Sequence, residues 1–380
     1  MMIFSIAVTA ACKHGWNDDN LLVSVVPTGD GHVMALVERE YWICDTSGEA
    51  CDWRGHAESE LEIVKLDSDG HDEWTRTYHR TEFERLGYWE AMGMNRLGAD
   101  MMVVTGRDYA FAVDGEGRTL WEREDVDFEG CSGFSSFDEA LATGCAVDGS
   151  TAMRSHGVTA VSIAADGLTQ ELMSATIEKP NPFIITDILI LSGGGMAILS
   201  VEPESDPSCV FTAMGSGELT RLNEDGSVAW TRMYPSINRG TVVPSHAIEA
   251  QGGILFLLIS CPSIKTTVVK TDGAGNYLVD TELEDITHSD LLVADDGSIF
   301  VAGSYYPPDG PTYLRVVKLD PAGGMLWTRD FPEEIDFNPG GSNIDVDGGL
   351  VMGSSSVAED IEILKIDADG AIEWTFAPDY

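Results

Sequence analysis

Basic residues are scarce in this sequence. Lys and Arg total 22 against 64 Asp and Glu, which gives a formal net charge of −42. Such a surface repels nucleic-acid phosphates and anionic lipid headgroups, so we expect neither as a partner. The same charge favours solubility, the accumulation of cations and basic partners.

Motifs of the common catalytic and metal centres are also missing. The 8 His residues show no HxH or HExxH spacing, and the chain contains no CxxC, no GxSxG and no phosphate-binding glycine loop. We therefore predict no catalytic residue, no metal site and no cofactor. Calcium is the alternative to that prediction, because acidic turns at Asp67/Asp69, Asn223/Asp225 and Asp367/Asp369 each offer two oxygen-bearing side chains, and calcium takes six to eight oxygens.

Helical periodicity is absent over any useful length, and a repeat takes its place. "VKLDSDGHDEW" at 64–74 returns as "LKIDADGAIEW" at 364–374, and aligning on the turn glycine recovers seven copies. Asp or Asn precedes the glycine by three residues in six copies, and Trp follows it by four residues in five copies. The copies lie 47 to 59 residues apart, which indicates stacked units of one supersecondary type. The turn glycines are Gly70, Gly117, Gly167, Gly226, Gly275, Gly323 and Gly370.

Each copy reads as a β-hairpin. The residues before the turn alternate between apolar and polar, Asp-x-x-Gly suits a tight turn, and the Trp would pack between neighbouring units. Two further short apolar runs precede each hairpin, so the pattern predicts four antiparallel strands per unit. We predict an all-β fold, a seven-bladed β-propeller over 21–380 with four antiparallel strands per blade. The expected blades are 21–79, 86–125, 136–176, 182–235, 242–284, 286–332 and 335–377.

The repeat resembles the extracellular β-propeller repeats of bacterial and archaeal surface proteins and lipoproteins, whose blades read roughly "VKLDxxGxxxW". This resemblance covers about residues 21–377 and implies the fold rather than an activity. A more distant similarity is to propellers of the pyrroloquinoline-quinone type. Here the turn is one residue shorter, so quinone binding is not carried over.

The first twelve residues, "MMIFSIAVTAAC", resemble the end of a bacterial lipoprotein signal. The resemblance implies cleavage before Cys12 and acylation of that residue, with 1–20 as signal and tether. A plain secretory signal or an outer propeller strand are the alternatives. The apolar stretch is too short to span a bilayer.

Six cysteines remain beside Cys12, an even number that suits three local disulfides in an oxidising compartment. Metal binding is the competing interpretation, but their spacings do not match a zinc site. The expected bridges join Cys44 to Cys51, Cys131 to Cys145 and Cys209 to Cys261.

Two aromatic loops are the candidate ligand-binding surface. Aromatic and Arg side chains on constrained loops make good contact surfaces, although the same rings could instead cover the ends of the blades. The candidates are Tyr41, Trp42, Trp53, Arg54 and His56 in the first copy and Tyr305, Tyr306 and Tyr313 in the sixth.

Taken together, these patterns predict a monomeric, non-enzymatic protein of the bacterial cell envelope, lipid-anchored or secreted. It would act as a scaffold that binds a protein or a glycan and would meet the membrane only through its lipid anchor. One alternative is an enzyme, either a quinoprotein-like oxidoreductase or a polysaccharide-acting propeller. Another is an assembly factor for envelope proteins. Convergent acidic, His and Arg side chains at the central channel would favour an enzyme.

Overall fold

The computed structural model describes residues 19–43, 56–78, 91–98, 100–128, 130–131, 135–137, 140–146, 153–203, 215–234, 241–261, 265–284, 286–307, 312–331, 337–355 and 361–377. Every regular element in these ranges is a β-strand. No helix in the described part of the chain is long and apolar enough to cross a membrane.

The strands follow one another in short hairpins. The first eleven are β1 (Asp19–Pro27), β2 (Val33–Ile43), β3 (His56–Leu66), β4 (Asp72–Tyr78), β5 (Ala91–Leu97), β6 (Met101–Gly106), β7 (Ala110–Val113), β8 (Thr119–Arg123), β9 (Ser135–Phe137), β10 (Ala140–Ala146) and β11 (Met153–Ala164). The next eight are β12 (Thr169–Ile190), β13 (Met196–Pro203), β14 (Gly215–Leu222), β15 (Val228–Tyr234), β16 (Thr241–Ala250), β17 (Gly253–Cys261), β18 (Lys265–Thr271) and β19 (Tyr277–Glu284). The last eight are β20 (Ile286–Val293), β21 (Ile299–Tyr305), β22 (Tyr313–Leu319), β23 (Met325–Phe331), β24 (Phe337–Ile344), β25 (Leu350–Ser355), β26 (Ile361–Ile366) and β27 (Ile372–Phe376).

These strands form a β-propeller with six blades of four antiparallel strands each, and the prediction of seven such blades is wrong. Blade 1 is β1–β4, blade 2 is β5–β8, blade 3 is β12–β15, blade 4 is β16–β19, blade 5 is β20–β23 and blade 6 is β24–β27. The remaining strands, β9–β11, form a three-stranded unit between blades 2 and 3.

The sequence predicted a boundary between two blades at 176–182. The chain makes no turn there, so the three-stranded unit has no outer strand of its own. β12 pairs with β11 from Thr169 to Phe183, with a register shift after Glu178, and with β13 from Ile184 onward. Its 22 residues contain no glycine at which the chain could reverse. Pro180 and Pro182, which cannot donate a ladder hydrogen bond, lie where the strand changes partner.

The predicted Asp-x-x-Gly turns are confirmed, and the first shows how they work. The Gly70 amide donates to the Asp67 carbonyl at 3.0 Å, while Asp67 Oδ1 accepts from the amides of Asp69 and His71, both at 2.9 Å. Gly70 has a φ of +81°, which is accessible to glycine at little cost. These bonds hold the pKa of Asp67 below its usual value, chiefly through the His71 amide.

The repeated Trp packs on the turn of the next unit, as predicted. Trp230 in β15 lies so close to Gly275, the turn glycine of blade 4, that a Cβ there would be 2.6 Å from the indole ring. The same contact joins Trp374 of blade 6 to Gly70 of blade 1, and Trp374 Nε1 donates to the Ser68 carbonyl at 3.0 Å. A hairpin that carries the Trp therefore holds the next turn in place, and the last hairpin closes the ring.

A basic residue recurs five positions before the turn glycine in five copies of the repeat, and the structure shows it in two arrangements. Lys65 and Lys365 form ion pairs at 3.1 Å with Glu73 and Glu373 of their own blades. Lys318 instead donates to the Ala368 carbonyl in the next turn at 2.9 Å. Lys270 and Arg221 likewise reach the carbonyls of Pro321 and Gly273.

The apolar core is divided among the junctions between neighbours rather than gathered at one centre. One cluster joins Leu36 and Ile63 of blade 1 to Met94 and Phe111 of blade 2. Another joins Leu22 of blade 1 to blade 6, which closes the propeller by packing without a shared strand. A single blade cannot bury both faces of its sheet, so each depends on its neighbours.

Candidate functional site

The sequence candidates of the sixth copy lie together at one end of blade 5. Tyr305 ends β21, Tyr313 begins β22, and the two residues are direct cross-strand partners. Tyr306 follows in the connection with 47% of its surface exposed. The sequence therefore identified residues that the fold brings to one place.

Arg315 and Asp330 hold the Tyr305 ring of this group in place. The Arg315 guanidinium carbon lies 3.4 Å from the centroid of the Tyr305 ring. Arg315 Nε and Nη2 donate to the two carboxylate oxygens of Asp330 at 2.6 and 2.9 Å, a bidentate pair. These bonds to Asp330 raise the pKa of Arg315 above its ordinary value. Because the guanidinium is held by Asp330, it keeps the Tyr305 ring in a defined orientation.

Three candidates of the first copy, Tyr41, Trp42 and His56, lie in strands at the corresponding end of blade 1. Tyr41 and Trp42 pair with Glu58 and Ala57 across β2 and β3, and His56 begins β3. Their side chains, and the whole of Trp53 and Arg54, lie outside the described residues. Blade 6 packs between blades 5 and 1, so the two candidate groups belong to separate blades rather than to one demonstrated patch.

A second polar group, which sequence reasoning missed, lies on the innermost strands of blades 3 to 6. Ser342 Oγ on β24 donates to Asp290 Oδ2 on β20 at 2.5 Å, and His246 Nε2 on β16 lies 3.7 Å from Asp290 Oδ1. On β12, Asp187 Oδ2 accepts from the Ala247 amide at 2.6 Å. We call Asp187, His246, Asp290 and Ser342 the inner polar group.

The geometry of the inner polar group differs from a nucleophilic triad. Ser342 donates to the Asp290 carboxylate, whereas the serine of a nucleophilic triad donates to an imidazole. His246 has a φ of +49°, unusual for a residue with a side chain, and backbone strain of this kind is often found at functional sites. The arrangement can bind a donor or exchange a proton at His246, whose side chain is 43% exposed.

The sequence contains a weak signal for the inner polar group, because two of its members occupy the same position in their strands. Asp187 and Asp290 each lie four residues before the turn that ends their strand, at Leu191 and Ala294. Each also follows a β-bulge, which changes the register of the strand and turns the side chain toward the neighbour. Bulges are not visible in the alternation of apolar residues, so the pattern predicted ordinary strands here.

Of the expected disulfides, the structure describes one. Cys131 and Cys145 form a bridge with their Cα atoms 3.7 Å apart. Cys12, Cys44, Cys51 and Cys209 lie outside the described residues, as does the side chain of Cys261. The other two bridges therefore remain predictions.

Within the described residues, one group of three side chains has metal-binding spacing: Asp67, Asp69 and His71, in the turn of blade 1. Asp67 already uses Oδ1 for two backbone amides. The equivalent Asp of other turns makes the same pair of bonds, for example Asp367 with the amides of Asp369 and Ala371. The acidic turns thus have a structural explanation that needs no ion.

Comparison with known proteins identifies the fold only. No family model and no curated protein matches the chain. A chimera of ACO and RPE65 is 10% identical with a TM-score of 0.54 and covers 98% of this chain and 96% of its own. Cobalt-substituted ACO (apocarotenoid oxygenase) from Synechocystis is 12% identical with a TM-score of 0.52 and the same coverage of 98% and 96%. A Bacteroides caccae protein of unknown function is 12% identical with a TM-score of 0.41, covering 84% of this chain and 96% of its own.

Proposed function

We propose that this protein is a non-enzymatic scaffold of the bacterial cell envelope that binds a glycan or a protein through the Tyr305 end of blade 5. The observation that carries the proposal is the aromatic group of Tyr305, Tyr306 and Tyr313, in which Arg315, held by Asp330, packs on the Tyr305 ring. A tyrosine ring that is already held in place, as Tyr305 is by Arg315, loses little side-chain entropy when it binds.

A glycan suits this surface better than a charged polymer does. Tyrosine offers an apolar ring face and a hydroxyl, which match the C–H face and the hydroxyl groups of a sugar. The net charge of −42 opposes an anionic polymer, so the ligand would be a neutral or basic glycan. A protein loop of similar chemistry is the other ligand compatible with the same residues.

Location in the envelope is part of the same proposal. The bridge between Cys131 and Cys145 supports it, because disulfides persist in oxidising compartments. The similarity of 1–12 to a lipoprotein signal adds the lipid anchor at Cys12. The resemblance of the repeat to surface-protein propellers points in the same direction.

Saturation-transfer NMR with neutral and basic envelope glycan fragments tests the ligand. We expect the intact protein to give sugar signals, and we expect these signals to be at least fivefold weaker with Tyr306→Ala and with Tyr313→Ala. The matched control is Val346→Ala, which changes another exposed residue and should leave the signals unchanged. Binding that all three variants retain would place the ligand elsewhere. No sugar signal with the intact protein would reject the glycan.

An enzyme is the second candidate, and the inner polar group is the observation that favours it. His246 beside Asp290 could transfer a proton in a reaction on a polysaccharide. Glycan fragments incubated with the protein should then shorten, and His246→Gln should abolish the change. Fragments of unchanged length would favour the scaffold.

A further inference from the structure

Blade 5 departs from the repeat at the position of Arg315. Arg315 lies eight residues before the turn glycine Gly323. Blades 2 and 4 carry the uncharged residues Tyr109 and Thr267 at the same distance before their own turn glycines. Blades 1, 3 and 6 carry glutamate there, namely Glu62, Glu218 and Glu362. Among the six blades, blade 5 therefore has a positive charge where the repeat is otherwise acidic or uncharged.

The tyrosines beside Arg315 are also particular to blade 5. Tyr305 and Tyr313 are cross-strand partners at the end of the second and third strands. The equivalent cross-strand pair is Arg39 and Glu60 in blade 1 and Ser260 and Lys265 in blade 4. The aromatic pair and the basic residue thus occur together in blade 5, which fits a site rather than a general feature of the repeat.

The ion pair between Arg315 and Asp330 keeps hydrogen-bonding capacity for a ligand. Each oxygen of Asp330 accepts one bond from Arg315, at 2.6 and 2.9 Å, and a carboxylate oxygen can accept a second. Arg315 also donates to the Glu284 carbonyl at 3.4 Å, and a guanidinium has more N–H donors than these three bonds use. The side chain of Asp330 is 43% exposed, so a ligand in solvent can reach its acceptors.

A donor and an acceptor at the edge of an aromatic group match two adjacent hydroxyl groups of a sugar. One hydroxyl can donate to Asp330 while its neighbour accepts from Arg315, and the C–H face of the sugar can lie on tyrosine. The opposite charges of Arg315 and Asp330 cancel, so the pair gives neither an anionic nor a cationic group a net attraction. The local chemistry therefore favours a neutral sugar.

We propose that Arg315 and Asp330 bind two adjacent hydroxyl groups of a neutral hexopyranoside at the Tyr305 end of blade 5. This inference rests on the function proposed for that end of the blade and names the groups that would recognise the sugar. Asp330 then has two roles, because it contacts the sugar directly and also holds Arg315 against the Tyr305 ring.

Saturation-transfer NMR titrations test the inference with the methyl glycosides of glucose, galactose and mannose and with their monodeoxy analogues. With the intact protein we expect at least one parent glycoside to bind, and loss of one hydroxyl of the bound pair to weaken binding at least tenfold. Asp330→Asn should weaken the parent glycoside at least tenfold and reduce the penalty for the missing hydroxyl to within twofold. A penalty that stays tenfold in Asp330→Asn would show that Asp330 only positions the ring, and would overturn the inference.

Blade 4 supplies the control variants. Glu282 occupies the position of Asp330 in blade 4 and pairs with Lys265, so Glu282→Gln should leave glycoside binding within twofold. Thr267 and Glu282 are cross-strand partners in blade 4, as Arg315 and Asp330 are in blade 5. Arg315→Thr combined with Asp330→Glu therefore introduces a pair that the repeat already accommodates. This double variant should fold and lose the glycosides, which keeps the test valid if Asp330→Asn fails to fold.

Failure of this inference and failure of the proposed function give different results. Glycosides that Tyr306→Ala and Tyr313→Ala release, but that Asp330→Asn still binds with the affinity of the intact protein, would keep the tyrosine surface and overturn the role of the ion pair. Binding of none of the glycosides would reject the inference. The envelope glycan fragments decide the proposed function independently.

Discussion

The junction from blade 3 to blade 4 and the junction from blade 4 to blade 5 share one backbone plan and differ in their side chains. Both bring the outer strand of one blade against the turn glycine of the next, Gly275 in the first case and Gly323 in the second. Trp230, Arg232 and Tyr234 cover the first turn, whereas Val279 and Thr281 cover the second. The comparison teaches that both junctions keep the turn and a side-chain hydrogen bond to the carbonyl of its glycine, while the amount of apolar cover differs between them.

Removing the indole should have the largest effect. Trp230→Ala deletes a ring that packs on Gly275 and is expected to cost about 2–3 kcal/mol, below the range for a fully buried Trp because the residue is partly exposed. Val279→Ala should cost about 1 kcal/mol, since it removes only two methyl groups. Urea denaturation of both variants measures the difference, and equal losses would show that the indole contributes no more than the valine.

Adding one methyl group to the turn should distinguish the same two junctions. Gly275→Ala places a Cβ 2.6 Å from Trp230, and Gly323→Ala places it 3.1 Å from the small Val279 and Thr281. Both glycines have positive φ, so each substitution carries about 1 kcal/mol of backbone strain. We expect Gly275→Ala to lose about 1–2 kcal/mol more than Gly323→Ala, by analogy with overpacking in cores. Thermal unfolding of the two proteins compares them directly.

Loss of the tyrosine hydroxyl should have a smaller effect. Tyr234 donates to the Gly275 carbonyl at 2.7 Å, so Tyr234→Phe should cost about 1 kcal/mol, the usual net value of one hydrogen bond. At the junction between blades 4 and 5 the matching variant is Thr281→Val. It removes the 2.6 Å hydrogen bond to the Gly323 carbonyl and keeps the shape of the side chain. If both variants unfold at the urea concentration of the intact protein, these bonds contribute nothing to the junctions.

Alkaline pH should weaken the junctions that contain tyrosine. Burial raises the pKa of Tyr78 and of Tyr234 to about 12 from an ordinary value of 10.0. The folded state therefore holds these protons more tightly than the unfolded state, so their contribution is complete below about pH 10 and is lost as the pH rises through about 12. Tyr234→Phe should reduce the fall in the urea midpoint between pH 9 and 11. An unchanged pH dependence would assign the alkaline loss to other groups.

The repeat could be recognised from sequence because its signals are local. Asp67 and Gly70 define a turn by backbone geometry within four residues, and Trp74 follows at a fixed distance. Such contacts do not depend on the rest of the chain, so the hairpins and the packing of Trp between units were predicted correctly. The Tyr305 group could be predicted for the same reason, because its residues flank one short connection.

The errors arose where the outcome depends on distant partners. The third copy departs from the repeat at Ala164 and Glu171, yet nothing local showed that the outer strand would continue through Pro180 into the next blade. The inner polar group was missed for a related reason. His246 and Asp290 are 44 positions apart in the chain and meet only because bulges turn them toward each other.

By itself the amino-acid sequence determined the hairpin unit, its turn chemistry and the acidic surface, because those properties are set within a few residues or by composition. Only the tertiary structure decided how many complete blades form, which lysine binds within its blade and which reaches the next, and which apolar residues stay exposed. The physical reason is that each blade buries its faces against its neighbours, so the role of a side chain depends on what the adjacent blade presents to it.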